Sequence, residues 1–217
     1  SSHRRQPQMC IRDRDRIKDK TKIINDPTSV RNISEKFYSL NFKNYMADTI
    51  FTKDLIEIKK FFKKHKKIII KPIHSYGGND INLISGKLNL LKIKQILKKH
   101  GHIMCQKFLN KIKFGDKRVF IINGKVCGAI SRVPKSGSIL SNMSKGAKPK
   151  IAFLSNKELK ISNIIAKKIK KDGIYFAGID FIDGKLNGDI NVTSPTGIKT
   201  YFDLSQINLA KTFWKGL

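Results

Sequence analysis

Nothing in this 217-residue sequence is apolar over a stretch long enough to cross a bilayer, which takes roughly 18 residues. The opening "SSHRRQPQMCIRDRDR" also lacks the apolar core of a secretory signal. A cytoplasmic location without membrane contact is the resulting expectation. Cysteine is scarce: Cys10, Cys105 and Cys127 are odd in number, widely spaced and never in a C-x-x-C pair. That argues against a disulfide framework and a zinc site, so Cys105 and Cys127 read as small buried strand residues.

Acidic residues are also few, 16 against 45 Lys and Arg, for a formal charge of +29. Such a balance raises a nucleic-acid or membrane partner. The arrangement of the charge weakens that suggestion. Lysines in "KKFFKKHKK" and "AKKIKKDG" fall on polar helix faces, the pattern of a solvated surface, and few aromatics are interleaved to stack on bases. Arginine nearly vanishes from the body. Five of the eight arginines lie in the first 16 residues, which hold no lysine, and only Arg31, Arg118 and Arg132 follow. A body rich in Lys, Ile and Asn is what AT-rich coding would give. An arginine kept against that drift fits a bidentate contact to carboxylate or phosphate, which lysine makes badly; a structural ion pair or chance is the plain alternative.

What is present is a globular pattern, 40% apolar and able to bury a core. Residues 1–20 show neither helical period nor alternation and read as a tail, disordered or foreign to the body; the fold is expected over 21–217. "NISEKFYSLNF" opens a first helix, and Thr52 caps a second, "KDLIEIKKFFKKH", with Leu55, Ile58, Phe61 and Phe62 on one face. "KIIIKPI" is a short buried strand ended by the loop "HSYGGND". The strands "INLIS" and "HIMCQKFL" flank the helix "LNLLKIKQILKKH". "KRVFIINGKVCGAISRV" is two alternating runs joined by Asn123-Gly124, the chemistry of a type I′ hairpin. "PKSGSILSNMSKGAKPK" is too long and polar for a simple connection and suits a functional lid. Ser155 and Glu158 form a capping box for a helix to about Lys171, ended by Gly173. "IYFAGIDFI" and "DINVT" are strands joined by "DGKLNG", and "LSQINLAKTFW" is a terminal helix. Strands, hairpins and helices mixed in this way predict an α/β or α+β architecture.

The chemistry concentrates in the last pair of strands. Asp180 lies inside an apolar strand, and Asp189 and Asn191, two apart, share a face of the next. Paired as a hairpin, the three would converge, and an oxygen-only set suits Mg²⁺ that keeps waters and binds phosphates. Each residue alone fits an ordinary turn or edge position. Lys71 ends a buried strand and Lys36 sits in the first turns of a helix, so both could meet phosphate. "SYGGN" has the small residues that let a backbone approach closely, although no Walker loop occurs.

Several stretches together resemble the ATP-grasp part of bacterial glutathione synthetase: "DPTSVRNISEK", "IIIKPIHSYGGNDI", "QKFLNKIKFGDKRVFIINGK", "SRVP" and above all "GIDFIDGKLNGDINVTSPTGI". The likeness runs from about Ile23 to the end. It implies an ATP-grasp fold of class α+β, two subdomains with nucleotide between them, the lid subdomain over about 45–107. By the same resemblance Lys36 and Lys71 contact ATP phosphates, and Ser75, Gly77 and Gly78 belong to the small phosphate loop. Gln106, Lys107, Phe108 and Leu109 meet adenine, and Asp116 lies near the ribose. Arg118 and Arg132 are catalytic, facing the transferring phosphoryl group and substrate carboxylate. Asp180, Asp189 and Asn191 hold Mg²⁺ or Mn²⁺, and Arg132, Asn191, Ser194 and Thr196 bind substrate. Residues 134–148 form the large lid.

The implied reaction joins γ-glutamylcysteine to glycine at the expense of ATP, in an enzyme that is tetrameric in the family. The sequence departs from the family in Asp189, where Glu is usual, in a preceding turn one residue longer, and in the lid, which usually carries an arginine near Leu140 and a second basic residue, here Lys148. The family's leading α/β domain is replaced by the arginine-rich tail, so the chain reads as a fragment expected to bind Mg-ATP without making glutathione. Another ATP-grasp carboxylate–amine ligase is the nearest alternative. A basic nucleic-acid-binding module would explain the charge but not the Asp/Asp/Asn set.

Overall fold

The structure, a computed structural model, describes residues 13–75 and 77–217. The expected tail therefore lies largely outside the described residues, as do Cys10 and Tyr76. Of its described part, Asp15 accepts a hydrogen bond from Thr28 and pairs with Arg31. Arg31 thus has the structural ion pair that was one of its two readings.

Helix α1 (Pro27–Asn32) starts with Asp26 capping the backbone N–H of Ser29 and a proline in the first turn. A 3₁₀ segment (Phe37–Tyr45) follows where a regular helix was expected, broken at Phe42 by non-helical dihedrals. The elements β1 (Thr49–Thr52), α2 (Leu55–His65), β2 (Lys67–Pro72), β3 (Asn82–Ser85), α3 (Leu90–His100) and β4 (Ile103–Lys107) then build a first antiparallel sheet in the order β1-β4-β2-β3. Asp54, not Thr52, caps α2, by accepting from the N–H of Ile56. Thr52 instead uses its hydroxyl to accept from the N–H of Asp54.

Helices α2 and α3 cover one face of this sheet. Ile58, Phe61 and Phe62 of α2 and Ile93 and Ile96 of α3 pack on Ile68, Ile70, Ile84, Ile103 and Cys105. Because strand side chains alternate, Lys71 and Met104 must face away from those helices. Met104 is accordingly buried in the other core.

That second body contains β5 (Asp116–Ile122), β6 (Lys125–Val133), β7 (Lys148–Ile151), α4 (Asn156–Lys171), β8 (Phe176–Ile182), β9 (Lys185–Asn191), α5 (Ile198–Ser205) and α6 (Leu209–Lys215). Its antiparallel strand order is β7-β6-β5-β8-β9. The β5–β6 hairpin turns at Asn123 and Gly124, both at positive φ (50° and 72°), as the turn chemistry predicts. The capping box of Ser155 and Glu158 opens α4 with both reciprocal bonds in place. Ile161, Ile165, Ala166 and Ile169 of α4 pack on one sheet face, and Tyr201 of α5 and Leu209 of α6 on the other.

Two expectations are corrected here. The last helix is two helices, because Gln206 adopts φ 60° and ends α5. The polar segment 134–150 is not structureless throughout: Met143–Lys145 forms a 3₁₀ turn, and Lys148 already pairs with Val133 in β7.

Candidate active site

The inner face of β2 in the first sheet meets β9 of the second through Lys71. Its ammonium, 3% exposed, donates to the backbone oxygen of Asn187 at 2.6 Å, to Asn187 Oδ1 at 3.0 Å and to Asp189 Oδ2 at 3.4 Å. Lys36 arrives from just before the 3₁₀ segment, and its ammonium donates to the Ser75 carbonyl at 2.5 Å while lying 3.6 Å from Asp189 Oδ1. The N–H of Ile190 donates to the Glu35 carbonyl at 3.1 Å, stitching the Lys36 segment onto β9. Two buried ammonium groups therefore share one half-exposed carboxylate. Burial lowers the pKa of Lys71, with Asp189 opposing the shift.

Beside this lies a second charge cluster. Arg118 on β5 grips Asp180 on β8 with two bonds of 2.7 Å, a geometry fixed by the register that pairs them directly. Arg132 on β6 does the same to Asp116 at 2.8 and 2.5 Å and reaches Asp180 at 2.9 Å. Burial opposes the charge on Asp180, but Arg118 and Arg132 outweigh it and hold its carboxyl below the ordinary range. Asp116 is 1% exposed and also accepts from the Ser141 hydroxyl at 2.5 Å. The carboxylate of Asp116, expected beside a ribose, thus lies inside the arginine network. Ser141 brings the 134–148 segment down onto that network. The same segment approaches the small loop: a Cβ on Gly78 would lie 2.6 Å from Asn142 Oδ1.

Of the remaining expected residues, Gln106 is buried and donates to the Thr49 hydroxyl at 3.0 Å. Lys107 and Phe108 use their N–H groups on the carbonyls of Asp48 and Lys67, and Leu109 is half-buried. Gly77 has φ 66°. Asn191 Oδ1 accepts from the N–H of Ser194 at 3.2 Å, which closes the turn toward Thr196. Ser194 and Thr196 are exposed.

No three His, Cys, Asp or Glu side chains among the described residues form a cluster able to hold a metal. The expected set reaches three only by counting Asn191. Its donors are all oxygen, which fits Mg²⁺, and among the described residues Asp189 is held by side-chain contacts of 3.4–3.6 Å that a cation can replace. Asp180 must first share its oxygens with the arginines that hold it. The residues fit a Mg²⁺ ion on those terms.

Sequence reading missed three residues of this region. Glu35 has its carboxyl pushed up to about 7, by burial first and by the charge of Asp189 second. Its signal was adjacency to Lys36. Asn187 sits in a bulge, and Ser141 in a loop, neither of which has a period to read.

Two sheets facing each other across paired lysines and carboxylates define an ATP-grasp fold. Solved structures agree. The ATP-grasp ligase PsnB complexed with a phosphomimetic precursor variant, Mg and ADP superposes with a TM-score of 0.69 at 16% identity, over 92% of this chain and 62% of that one. The D-cycloserine synthetase DcsG gives 0.69 at 12% identity, over 89% and 73%. The sequence narrows the class further. The family described as "Prokaryotic glutathione synthetase, ATP-grasp domain" matches residues 35–206, and the chain belongs to it. It is 36% identical over 208 residues to a glutathione synthetase of Bradyrhizobium diazoefficiens and 34% over 195 to one of Synechocystis sp.. It spans 64% and 61% of the length of these relatives, while they cover 92% and 88% of it. No helix among the described residues is long and apolar enough to cross a membrane.

Proposed function

We propose that this chain carries the ATP-binding and phosphoryl-transfer site of a ligase that joins γ-glutamylcysteine to glycine, giving glutathione. One observation carries the reading: Lys36 and Lys71 converge on Asp189, while Arg118 and Arg132 converge on Asp180, across the β8–β9 bulge from it. Those four cations face three carboxylates, Asp116, Asp180 and Asp189. Glu35, raised to about 7, adds little negative charge below neutrality. Such a cleft favours an added polyanion, and a triphosphate is the natural one.

Lys36 and Lys71 would bind nucleotide phosphates, with the backbone around Ser75, Gly77 and Gly78 beside them. The segment Gln106, Lys107, Phe108 and Leu109 would border the adenine. Asp180, Asp189 and Asn191 would hold Mg²⁺, which supplies positive charge against the phosphate oxygens. No side chain has to act as a nucleophile. The free cysteinyl carboxylate of the dipeptide takes the terminal phosphoryl group, ADP leaves, and the glycine amine then displaces phosphate from the acyl carbon. Arg118 and Arg132 offset charge on the phosphoryl oxygens during transfer, and Asn191, Ser194 and Thr196 line the peptide side. The 134–148 segment, tied to Asp116 by Ser141, would exclude the water that hydrolyses an acyl phosphate.

A second reading, an ATP-grasp ligase for another carboxylate and amine, is favoured by the shared fold of PsnB and DcsG. The experiment that separates the two is ATP cleavage by the purified protein over pairs of carboxylate and amine substrates. Cleavage that requires γ-glutamylcysteine supports the first reading. Cleavage with a different pair alone replaces it by the second, and salt-sensitive duplex binding without nucleotide binding removes both.

A further inference from the structure

We propose that Asn187 is a positioning residue for Lys71, committing two of its three donors so that the third is left for a nucleotide phosphate. This rests on the reading that the cleft binds Mg-ATP. An ammonium has three N–H donors and no acceptor. Asn187 takes two of them, with its backbone oxygen at 2.6 Å and its side-chain oxygen at 3.0 Å. Both lie within the ordinary range for such bonds, whereas the contact to Asp189 at 3.4 Å lies beyond it. One residue therefore chelates the lysine, and the carboxylate is the loose partner.

The chelate exists because of a β-bulge. Phe181 pairs with Leu186 and Ile179 with Ile190, so Asn187, Gly188 and Asp189 stand opposite the single residue Asp180. Gly188 has φ 81°, and a Cβ there would lie 2.3 Å from Met104 Cε and 2.8 Å from Met46 Cε. Packing on both methionines pins the bulge. The pinned backbone turns the Asn187 carbonyl and carboxamide toward the same ammonium. Without the side-chain oxygen, the nearest remaining side-chain partner for Lys71 among the described residues is Asp189, at 3.4 Å. Closing that pair would occupy the carboxylate that a cation needs and the donor that a phosphate needs.

Titration calorimetry of the purified protein with Mg-ATP and with adenosine tests this, using Asn187→Ala alone and in a Lys71→Met background. The expected result is about a tenfold loss of Mg-ATP affinity, the worth of one hydrogen bond to a charged group. Adenosine affinity should stay unchanged, and the loss should vanish once Lys71 is methionine. Unchanged Mg-ATP affinity would overturn the proposal. So would an equal loss for adenosine, or the same loss in the Lys71→Met background, because either marks a general structural role. Asn187→Ser, milder at the bulge, is run alongside and should show the same selective loss; if it does not, the proposal also falls. If the unaltered protein binds no Mg-ATP, the failure belongs to the reading of the cleft itself.

Discussion

Replacing Asp116 by asparagine probes the arginine network with almost no change of shape. Asp116 accepts three hydrogen bonds, from Arg132 Nε at 2.8 Å, Arg132 Nη2 at 2.5 Å and the Ser141 hydroxyl at 2.5 Å. An amide offers one oxygen and one NH₂ group, so at least one bond is lost and a donor is turned toward donors. Hydrogen bonds to charged groups contribute about 1.5–3 kcal/mol each, and breaking a buried ion pair typically costs about 3–5 kcal/mol. Arg132 keeps Asp180 at 2.9 Å, so its charge is not left wholly unpaired, and a loss of about 3–4 kcal/mol is expected. At about 2–4 °C per kcal/mol for a chain of this size, the melting temperature should fall by roughly 6–16 °C. Thermal unfolding followed by circular dichroism measures that fall, and urea unfolding the free-energy loss, with the slope unchanged and the midpoint lowered. A loss below about 1 kcal/mol, the level of a surface pair, would refute the tightly paired network.

Other consequences follow from the same geometry. Folding raises the Glu35 carboxyl from 4.5 to about 7, so the native state keeps a proton that the unfolded chain releases. The associated stability, up to about 3 kcal/mol, is present below about pH 4.5 and is lost as pH rises through about 7. Glu35→Gln should flatten the fall in melting temperature between pH 5 and 8; an unchanged profile would show that Glu35 does not titrate there. Gly188→Ala should cost about 2–3 kcal/mol, from positive φ and collision with Met104, and wild-type stability would contradict the pinned bulge. In a longer chain that carries the family's leading domain, Asp189→Asn should lower turnover by about 10²–10³, and in this chain it should remove the Mg²⁺ dependence of nucleotide binding, while Asp189→Glu keeps both. Retained Mg²⁺ dependence in the asparagine variant would take Asp189 out of the metal site.

Where a local rule governs a segment, the sequence already carried the answer. Asn123-Gly124 dictated a hairpin, Ser155 and Glu158 dictated a helix start, and strand alternation set Lys71 on the face opposite Ile68 and Ile70. Helix α1 went unread, although the Asp26-Pro27 pair that caps it is a helix-start signal. The break at Gln206 was not legible, because a left-handed glutamine has no composition signal. Asp180 stood out as a charge in an apolar strand, but its partners did not. Arg118 and Arg132 reach it only through the register that sets the distant strand β8 beside the β5–β6 hairpin. The bulge at Asn187 hid for a similar reason: two extra residues in "KLNGDIN" shift the pairing without disturbing the pattern of apolar residues that sequence reading follows. Ser141 touches Asp116 from a loop 25 residues further along the chain, where periodicity has nothing to say.

The central claim is that the cleft around Lys36, Lys71, Asp180 and Asp189 is a Mg-ATP site. Titration of the purified chain with ATP, with and without Mg²⁺, tests it most directly, with Lys71→Met as the paired control. The account predicts saturable binding of one nucleotide per chain, strengthened by Mg²⁺ and weakened at least tenfold by Lys71→Met, as loss of a charged phosphate contact requires. Absence of binding at millimolar Mg-ATP, or binding that Lys71→Met leaves intact, would contradict it.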